Sequence, residues 1–151
     1  MMNTYFQTAI GCIHKDDGTV VKLIGDAIFA IWNAPFSQED HCLRAARAAL
    51  DLQTSIVRLE EDQKFLPLRT RVGLHVGEAY VGNVGSTERF DYTAMGENIN
   101  IASRLEGLNK MMHTDILATR AFQKYVEATL LTRPIGHFRF KGFDQIGRAH
   151  V

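Results

Sequence analysis

The sequence predicts an α+β fold in which helices cover an antiparallel-leaning sheet. Three observations support this class. One long segment that starts at Ser37 repeats apolar residues at helical spacing. Several short segments are rich in Val, Ile and Phe, or alternate apolar with polar residues, as strands do. Neighbouring strand segments read as hairpins, so the pattern is not strictly βαβ. With 151 residues and no internal repeat or linker, the chain fits one domain.

The first part of the chain predicts a helix followed by a hairpin. Residues 1–14 read as helix, and Asp16-Asp17-Gly18 reads as a turn. Residues 19–24 and 27–32 flank Gly25-Asp26, which is typical of a hairpin with this dipeptide at its tip.

A long helix is predicted next. Ser37 would cap it, Asp40 would be its first-turn acid, and the helix would end near EEDQK. Its apolar stripe has the spacing 3-4-3-4-3 and comprises Cys42, Ala45, Ala49, Leu52, Ile56 and Leu59.

The rest of the chain mixes strands and helices. In RTRVGLHVG, residues Val72, Leu74 and Val76 share one face of a half-buried strand, and Arg71 and His75 share the other. The further predicted elements are a strand in EAYVGNVGS, a short strand near 91–94, a helix at about 97–108, a strand in TDILAT, a short helix in RAFQKYV and a terminal hairpin in RPIGHFRFKGF.

Composition excludes several functional classes. The formal net charge is zero and there is no Lys/Arg block, which argues against a nucleic-acid partner. Cys12 and Cys42 form neither a disulfide framework nor a CxxC metal motif, which favours a reducing, cytoplasmic compartment. The sequence holds no apolar run of about 18 residues and no signal peptide.

The two ends of the chain indicate a fragment of a longer gene product. MMNTYFQTAIGCIHK reads as a helix already under way, without a cap. The closing IGRAHV, back-translated, resembles a sequencing-adapter read. We therefore interpret residues 1–143 as one N-terminally truncated domain and residues 144–151 as a non-native tail.

Asp26 is a candidate metal ligand because it interrupts the apolar run VVKLIGDAIFAIW. A buried, unpaired carboxylate costs several kcal/mol. Taken alone, Gly-Asp is ordinary turn chemistry. A carboxylate on a stiff hairpin is also a suitable hard-oxygen ligand for Mg²⁺.

Asn100 and Arg104 are a second candidate pair, since a spacing of four places both on one face of the predicted helix. The pair has two interpretations. It is part of a solvated helix face, or its amide and guanidinium are held together to bind a sugar and a phosphate. Lys22, Arg71 and Lys141 are strand cations that carry little weight singly.

Other catalytic motifs are missing from the sequence. The glycines of VGLHVGEAYVGNVGS match neither a P-loop nor a dinucleotide fingerprint. The chain has no HExxH and no GxSxG, so the scattered histidines are interpreted as structural. The histidines so interpreted are His14, His41, His75, His113 and His137, five of the six in the sequence.

The order and spacing of these signals resemble a known family. KLIGDAIFAIWNAP, followed about forty residues later by RTRVGLHVGEAYVGNVGSTERFDYTAMGENINIASRLEGLNK, closely resembles the catalytic domain of class III nucleotidyl cyclases, in its bacterial adenylyl cyclase form. The resemblance implies a ferredoxin-like cyclase fold, here without its first strand. It also implies two-metal chemistry with Mg²⁺ or Mn²⁺, in which the ribose 3′-hydroxyl of a nucleoside triphosphate attacks the α-phosphate.

The resemblance also implies residue roles. Asp26 matches a metal aspartate, Asn100 the residue that orients the ribose, and Arg104 the residue that stabilises charge on the α-phosphate. Arg71 and Lys141 match cations that hold the polyphosphate. The purine readers match Lys22 and Thr93, a pair that favours ATP because lysine can donate to N1 of adenine.

In this family the active site lies between two subunits, so the resemblance implies a homodimer. Lys22 and Asp26 would then serve different sites. The family's other metal aspartate, in an F-x-D-I/L-x-G-F context, does not occur in the chain, so we expect the fragment alone to be inactive and its parent active. The alternatives are a non-catalytic regulatory or dimerisation domain, or a guanylyl cyclase. Any attachment of the parent protein to a membrane would depend on segments upstream of this chain.

Overall fold

The computed structural model describes residues 2–63, 67–139 and 146–150. The helices within these ranges are α1 (Met2–Lys15), α2 (His41–Gln63), α3 (Glu97–Met112) and α4 (Arg120–Val126). The strands are β1 (Thr19–Ile24), β2 (Ala27–Ile31), β3 (Val72–Leu74), β4 (Tyr80–Ser86), β5 (Arg89–Met95), β6 (Ile116–Thr119), β7 (Pro134–Arg139) and β8 (Ile146–His150).

The first hairpin is confirmed. Strands β1 and β2 pair antiparallel, and Ile24 faces Ala27 across the two-residue turn. Gly25 has a φ of 61°, a left-handed conformation that the tight hairpin turns require and that glycine adopts without strain. The turn therefore fixes the position of Asp26 in the loop.

The apolar stripe of α2 is confirmed, but the predicted cap is wrong. The helix begins at His41, with Arg44 N–H donating to the Asp40 carbonyl oxygen at 3.0 Å. Ser37 does not cap the helix because it lies within a loop that other hydrogen bonds hold. Asn33 and Gln38 bond reciprocally, each backbone N–H donating to the other's side-chain oxygen at 2.9 and 2.6 Å.

The described strands form three sheets, which confirms the mixed class and its antiparallel bias. One four-stranded sheet has the order β3-β6-β8-β7, and β1-β2 and β4-β5 form separate pairs. Only the β3-β6 pairing is parallel among the strands that the structure describes. Strand β3 is shorter than predicted because its partner β6 ends where α4 begins, just after Ala118 pairs with Leu74.

The end of the described chain contains an unpredicted strand. β7 confirms the first strand of the terminal hairpin, but its antiparallel partner is β8, within the segment interpreted as a tail. β8 also pairs with β6. The second strand expected at 140–143 lies outside the described residues. The interpretation of residues 144–151 as a non-native tail stays a prediction.

Three apolar clusters hold these elements together. The first joins α2 to α4 and β6, and the second joins α1 to α2 and to one residue each of β2 and β3. The third is the smallest and seats α3 on β6 and β7 through Leu105 and Leu117. α3 therefore has little apolar area with which to fix its position.

Candidate functional site

The tip of the first hairpin carries two of the predicted residues. Asp26 is exposed in the turn, and Lys22 is exposed on β1, opposite Phe29. Lys22 lies two positions before the end of β1, and Asp26 lies beyond that end, in the turn. The two side chains therefore stand at separate points along the same hairpin.

The helix α3 carries the second predicted pair. Asn100 and Arg104 are both exposed, one turn apart on the same face. The adjoining face is buried, with Leu105 at 1% exposure and Asn109 at 0%. An amide and a guanidinium are thus presented together from a helix whose other side is fixed.

Close backbone contact holds the middle of α3 against β3. A Cβ at Gly73 would lie 2.5 Å from both the Ala102 carbonyl oxygen and the Glu106 backbone nitrogen. Only glycine permits this approach. Further along, the buried Asn109 side chain donates to the Val72 carbonyl oxygen at 2.9 Å. The helix is therefore anchored on β3 at two successive points.

His75 provides a third anchor, at the start of α3. Its ring nitrogens contact Thr119 Oγ1 and Asn98 Oδ1, at 2.7 and 2.8 Å. Burial lowers the pKa of His75, although the hydrogen bond with Asn98 acts in the opposite direction. Sequence reasoning set His75 aside as structural and overlooked Asn98. The only signal was the strand alternation that placed His75 opposite the apolar face.

The remaining predicted residues are Arg71, Thr93 and Lys141. Arg71 directly precedes β3 and is half-buried, and within the described chain its Nε is a buried polar atom without a hydrogen-bond partner. Thr93 is half-buried in β5, where it pairs with Gly82 of β4. Lys141 lies outside the described residues.

The elements that carry these residues are neighbours. β5, the strand with Thr93, contacts β1 of the hairpin with Lys22 and Asp26, and it leads through Gly96 directly into α3, the helix with Asn100 and Arg104. An open cleft of about 460 Å³ lies elsewhere, around His14, Pro35 and Arg44, and none of the described site residues lines it. The exposed members of the predicted set, Lys22, Asp26, Asn100 and Arg104, therefore make up a candidate surface outside this cleft.

The metal ligands available in this surface are few. Among the described residues, no cluster of three His, Cys, Asp or Glu side chains could hold a metal ion. Asp26 contributes one carboxylate, and Mg²⁺ sites commonly combine one or two protein carboxylates with water and substrate phosphates. The donor set therefore fits a metal held partly by substrate.

A family model described as the adenylate and guanylate cyclase catalytic domain matches residues 1–146. The chain belongs to this cyclase family. The match includes every predicted site residue, from Lys22 to Lys141.

Individual relatives agree with the family. The cyclase domain is 39% identical over 145 residues to a protein named adenylate cyclase 1 from Rhizobium meliloti (strain 1021), covering 94% of this chain and 22% of that protein. The chain thus spans about a fifth of that relative's length. A crystal structure of the adenylyl cyclase CyaB from P. aeruginosa shows the same fold, with a TM-score of 0.88 and 24% identity over 99% of this chain and 78% of that one.

A guanylyl cyclase is also among the similar structures. The crystal structure of the guanylyl cyclase Cya2 has a TM-score of 0.85 and 25% identity, over 99% of this chain and 76% of that one. Structures named adenylyl cyclase and guanylyl cyclase therefore share this fold, and the fold alone does not indicate whether adenine or guanine is bound. Within the described ranges, the helices are too short or too polar to cross a membrane.

Proposed function

We propose that this domain, within its parent protein, converts ATP to 3′,5′-cyclic AMP and pyrophosphate. The observation that carries the proposal is the exposed Asn100–Arg104 pair, on a helix anchored against β3 and next to the strand of Thr93. The relative named adenylate cyclase 1 supports the choice of reaction.

In the proposed reaction the ribose 3′-oxygen forms a bond to the α-phosphorus and loses its proton. The bond from the α-phosphorus to the oxygen of the β-phosphate breaks, and pyrophosphate leaves. Asn100 would hydrogen-bond the ribose and orient the 3′-oxygen, and Arg104 would stabilise the charge that builds on the α-phosphate. Arg71, with a buried Nε that lacks a partner among the described residues, would bind the polyphosphate together with Lys141.

Asp26 would hold a divalent cation, Mg²⁺ or Mn²⁺. When bound, such a cation neutralises phosphate charge and acidifies the attacking hydroxyl. Because Asp26 is the one carboxylate that we assign to the metal, and the described residues form no cluster of three possible ligands, we expect the 151-residue chain alone to have little activity. The test measures cyclic AMP and pyrophosphate from ATP, with this chain and with the chain extended by the residues that its gene encodes upstream. If neither form makes cyclic nucleotide, the enzymatic proposal fails and a non-catalytic regulatory domain remains.

ATP, rather than GTP, is the proposed substrate because Lys22 can donate to N1 of adenine, with Thr93 on the neighbouring strand. Replacing both, Lys22→Glu with Thr93→Cys, should shift the preference towards GTP, since guanine presents donors at these positions. A matched charge change on α4, Lys124→Glu, should leave the ATP/GTP ratio of kcat/KM unchanged. An unchanged ratio in the double variant would overturn the base assignment. A preference for GTP in the unmodified domain would favour the guanylyl cyclase alternative.

We also propose a homodimer in which Lys22 and Asp26 serve different sites. Two separately inactive variants, Asp26→Asn and Arg104→Ala, should then complement each other when mixed, if they sit on opposite sides of one active site. Random pairing makes half of the dimers mixed, each with one intact site of two, so about a quarter of the activity should return. No recovery after subunit exchange would show that each chain uses its own residues.

A further inference from the structure

His75 lies in the middle of a directed chain of hydrogen bonds. Asn98 Nδ2 donates to the Glu78 carbonyl oxygen at 2.7 Å, so Asn98 Oδ1 faces His75 Nε2 as an acceptor. His75 therefore carries its proton on Nε2. Its Nδ1 accepts from the hydroxyl of Thr119, whose oxygen in turn accepts from the Phe122 backbone N–H at the start of α4. One imidazole thus connects the beginnings of two helices.

The start of α3 depends on this chain because its own cap is weak. The residue before the helix is Gly96, which makes no side-chain capping bond. Asn98 is the second residue of α3, two positions before Asn100 and six before Arg104. A Cβ at Gly77 would collide with the Asn98 side chain, so the backbone there leaves room for this amide. The position of Asn98 therefore determines where the first turns of the helix lie.

We propose that His75 and Asn98 are positioning residues for the cyclase reaction, whose hydrogen bond sets the reactive placement of Asn100 and Arg104. The inference rests on the proposed function and adds residues that do not touch the substrate. The groups bound to His75 are a hydroxyl and an amide, both uncharged, and the pKa of His75 is lowered by burial, which keeps the neutral ring that this bonding pattern needs.

The kinetic test uses the catalytically active, upstream-extended protein with three variants of this network and one control. Asn98→Ala and His75→Leu should lower kcat by roughly 10- to 100-fold, the usual cost of a displacement near 1 Å, with KM for ATP within about twofold. His75→Gln keeps a donor towards Asn98 and should recover most of kcat. The control Asn109→Ala, which loses bonds at the opposite end of the same helix, should lower Tm while kcat stays within about threefold. If kcat is unchanged in Asn98→Ala, or if KM rises with the fall in kcat, the inference is overturned.

Two measurements decide the inference without enzymatic activity. Nitrogen-15 NMR of the imidazole should show a protonated Nε2 and an unprotonated Nδ1 in the wild-type chain. Hydrogen exchange at the amides of residues 100–103, which bond back to the first turn, should be about tenfold faster in His75→Leu than in the wild type, and unchanged in Asn109→Ala. The opposite tautomer, or unchanged exchange, overturns the positioning role even if the protein is an active cyclase. An inactive wild-type protein with the expected exchange pattern would instead refute the proposed function alone.

Discussion

Helices α2 and α3 are held in place by different forces. α2 is 23 residues long and buries a continuous apolar face. Its buried residues are Cys42, Ala45, Ala46, Ala48, Ala49, Leu52 and Ile56. α3 buries only Leu105 and Asn109, and its fixed points are a glycine contact and side-chain hydrogen bonds. Buried apolar area thus holds α2 in place, and directional contacts hold α3.

The difference follows from what each helix carries. Apolar burial is strong but non-directional, so it stabilises a helix without fixing the positions of its atoms to a fraction of an ångström. Hydrogen bonds and close backbone contact specify distance and direction. α3 presents the candidate catalytic pair, and α2 presents none of the predicted site residues.

The largest expected effect tests burial on α2. Ile56→Ala removes a side chain that is 4% exposed and should lower the free energy of unfolding by about 3 to 4 kcal/mol. Its neighbour Val57 is 53% exposed, so Val57→Ala should cost less than about 1 kcal/mol. Urea unfolding of both variants measures the contrast. Equal costs would mean that α2 is not held by its apolar stripe.

The next effect tests close contact on α3. Gly73→Ala forces a methyl group against backbone atoms at Ala102 and Glu106 and should cost about 3 kcal/mol. Gly107 lies within α3 itself, and a Cβ added there would meet no atom within 4 Å, so Gly107→Ala should stabilise the protein by about 0.5 to 1 kcal/mol. Opposite signs for the two glycines in thermal or urea unfolding would support the comparison. A tolerated methyl at Gly73 would contradict it.

The third effect separates chemistry from stability. Arg104→Ala in the active protein should lower turnover by about 100-fold or more, with ATP binding largely kept, because the guanidinium would act mainly in the transition state. Lys110→Ala, an exposed change in the last turn of the same helix, should leave turnover within about twofold. Steady-state kinetics and nucleotide titration measure both. Unchanged turnover would remove Arg104 from the mechanism.

The smallest effect is a pH dependence at the start of α3. Burial lowers the pKa of His75 in the folded chain, so the unfolded chain takes up this proton at a higher pH. Stability should therefore fall as pH drops below about 6.5, the ordinary value for histidine, and level off below the lowered folded pKa. His75→Gln should show a smaller loss between about pH 7.5 and 5.5, the range around that ordinary value. If plots of Tm against pH run parallel for the wild type and His75→Gln, His75 does not contribute to the pH dependence.

Local patterns predicted the parts that depend on local forces. The stripe of α2 and the turn at Gly25-Asp26 were predicted correctly because their spacing and conformation are encoded in neighbouring residues. Ser37 was a wrong cap because the Asn33–Gln38 bonds, invisible in a helix-start pattern, hold that segment. The roles assigned to the site residues came from the family resemblance and stay predictions.

Longer-range features were beyond sequence reasoning. The end of β3 depends on where its partner β6 stops, about forty residues later. The partners of His75, at 23 and 44 residues away in the chain, are brought to it only by the sheet and the helices. Alternation identified the face of His75, but nothing local identifies Asn98 as its neighbour.

The hydroxyl of Thr119 has a consequence for mechanics. This one oxygen accepts the Phe122 N–H that begins α4 and also touches the ring that leads to Asn98 on α3. The two helices are therefore coupled through this oxygen, in addition to the packing of α3 on β6, and a tilt of either helix strains the hydrogen bonds that this atom makes to the other.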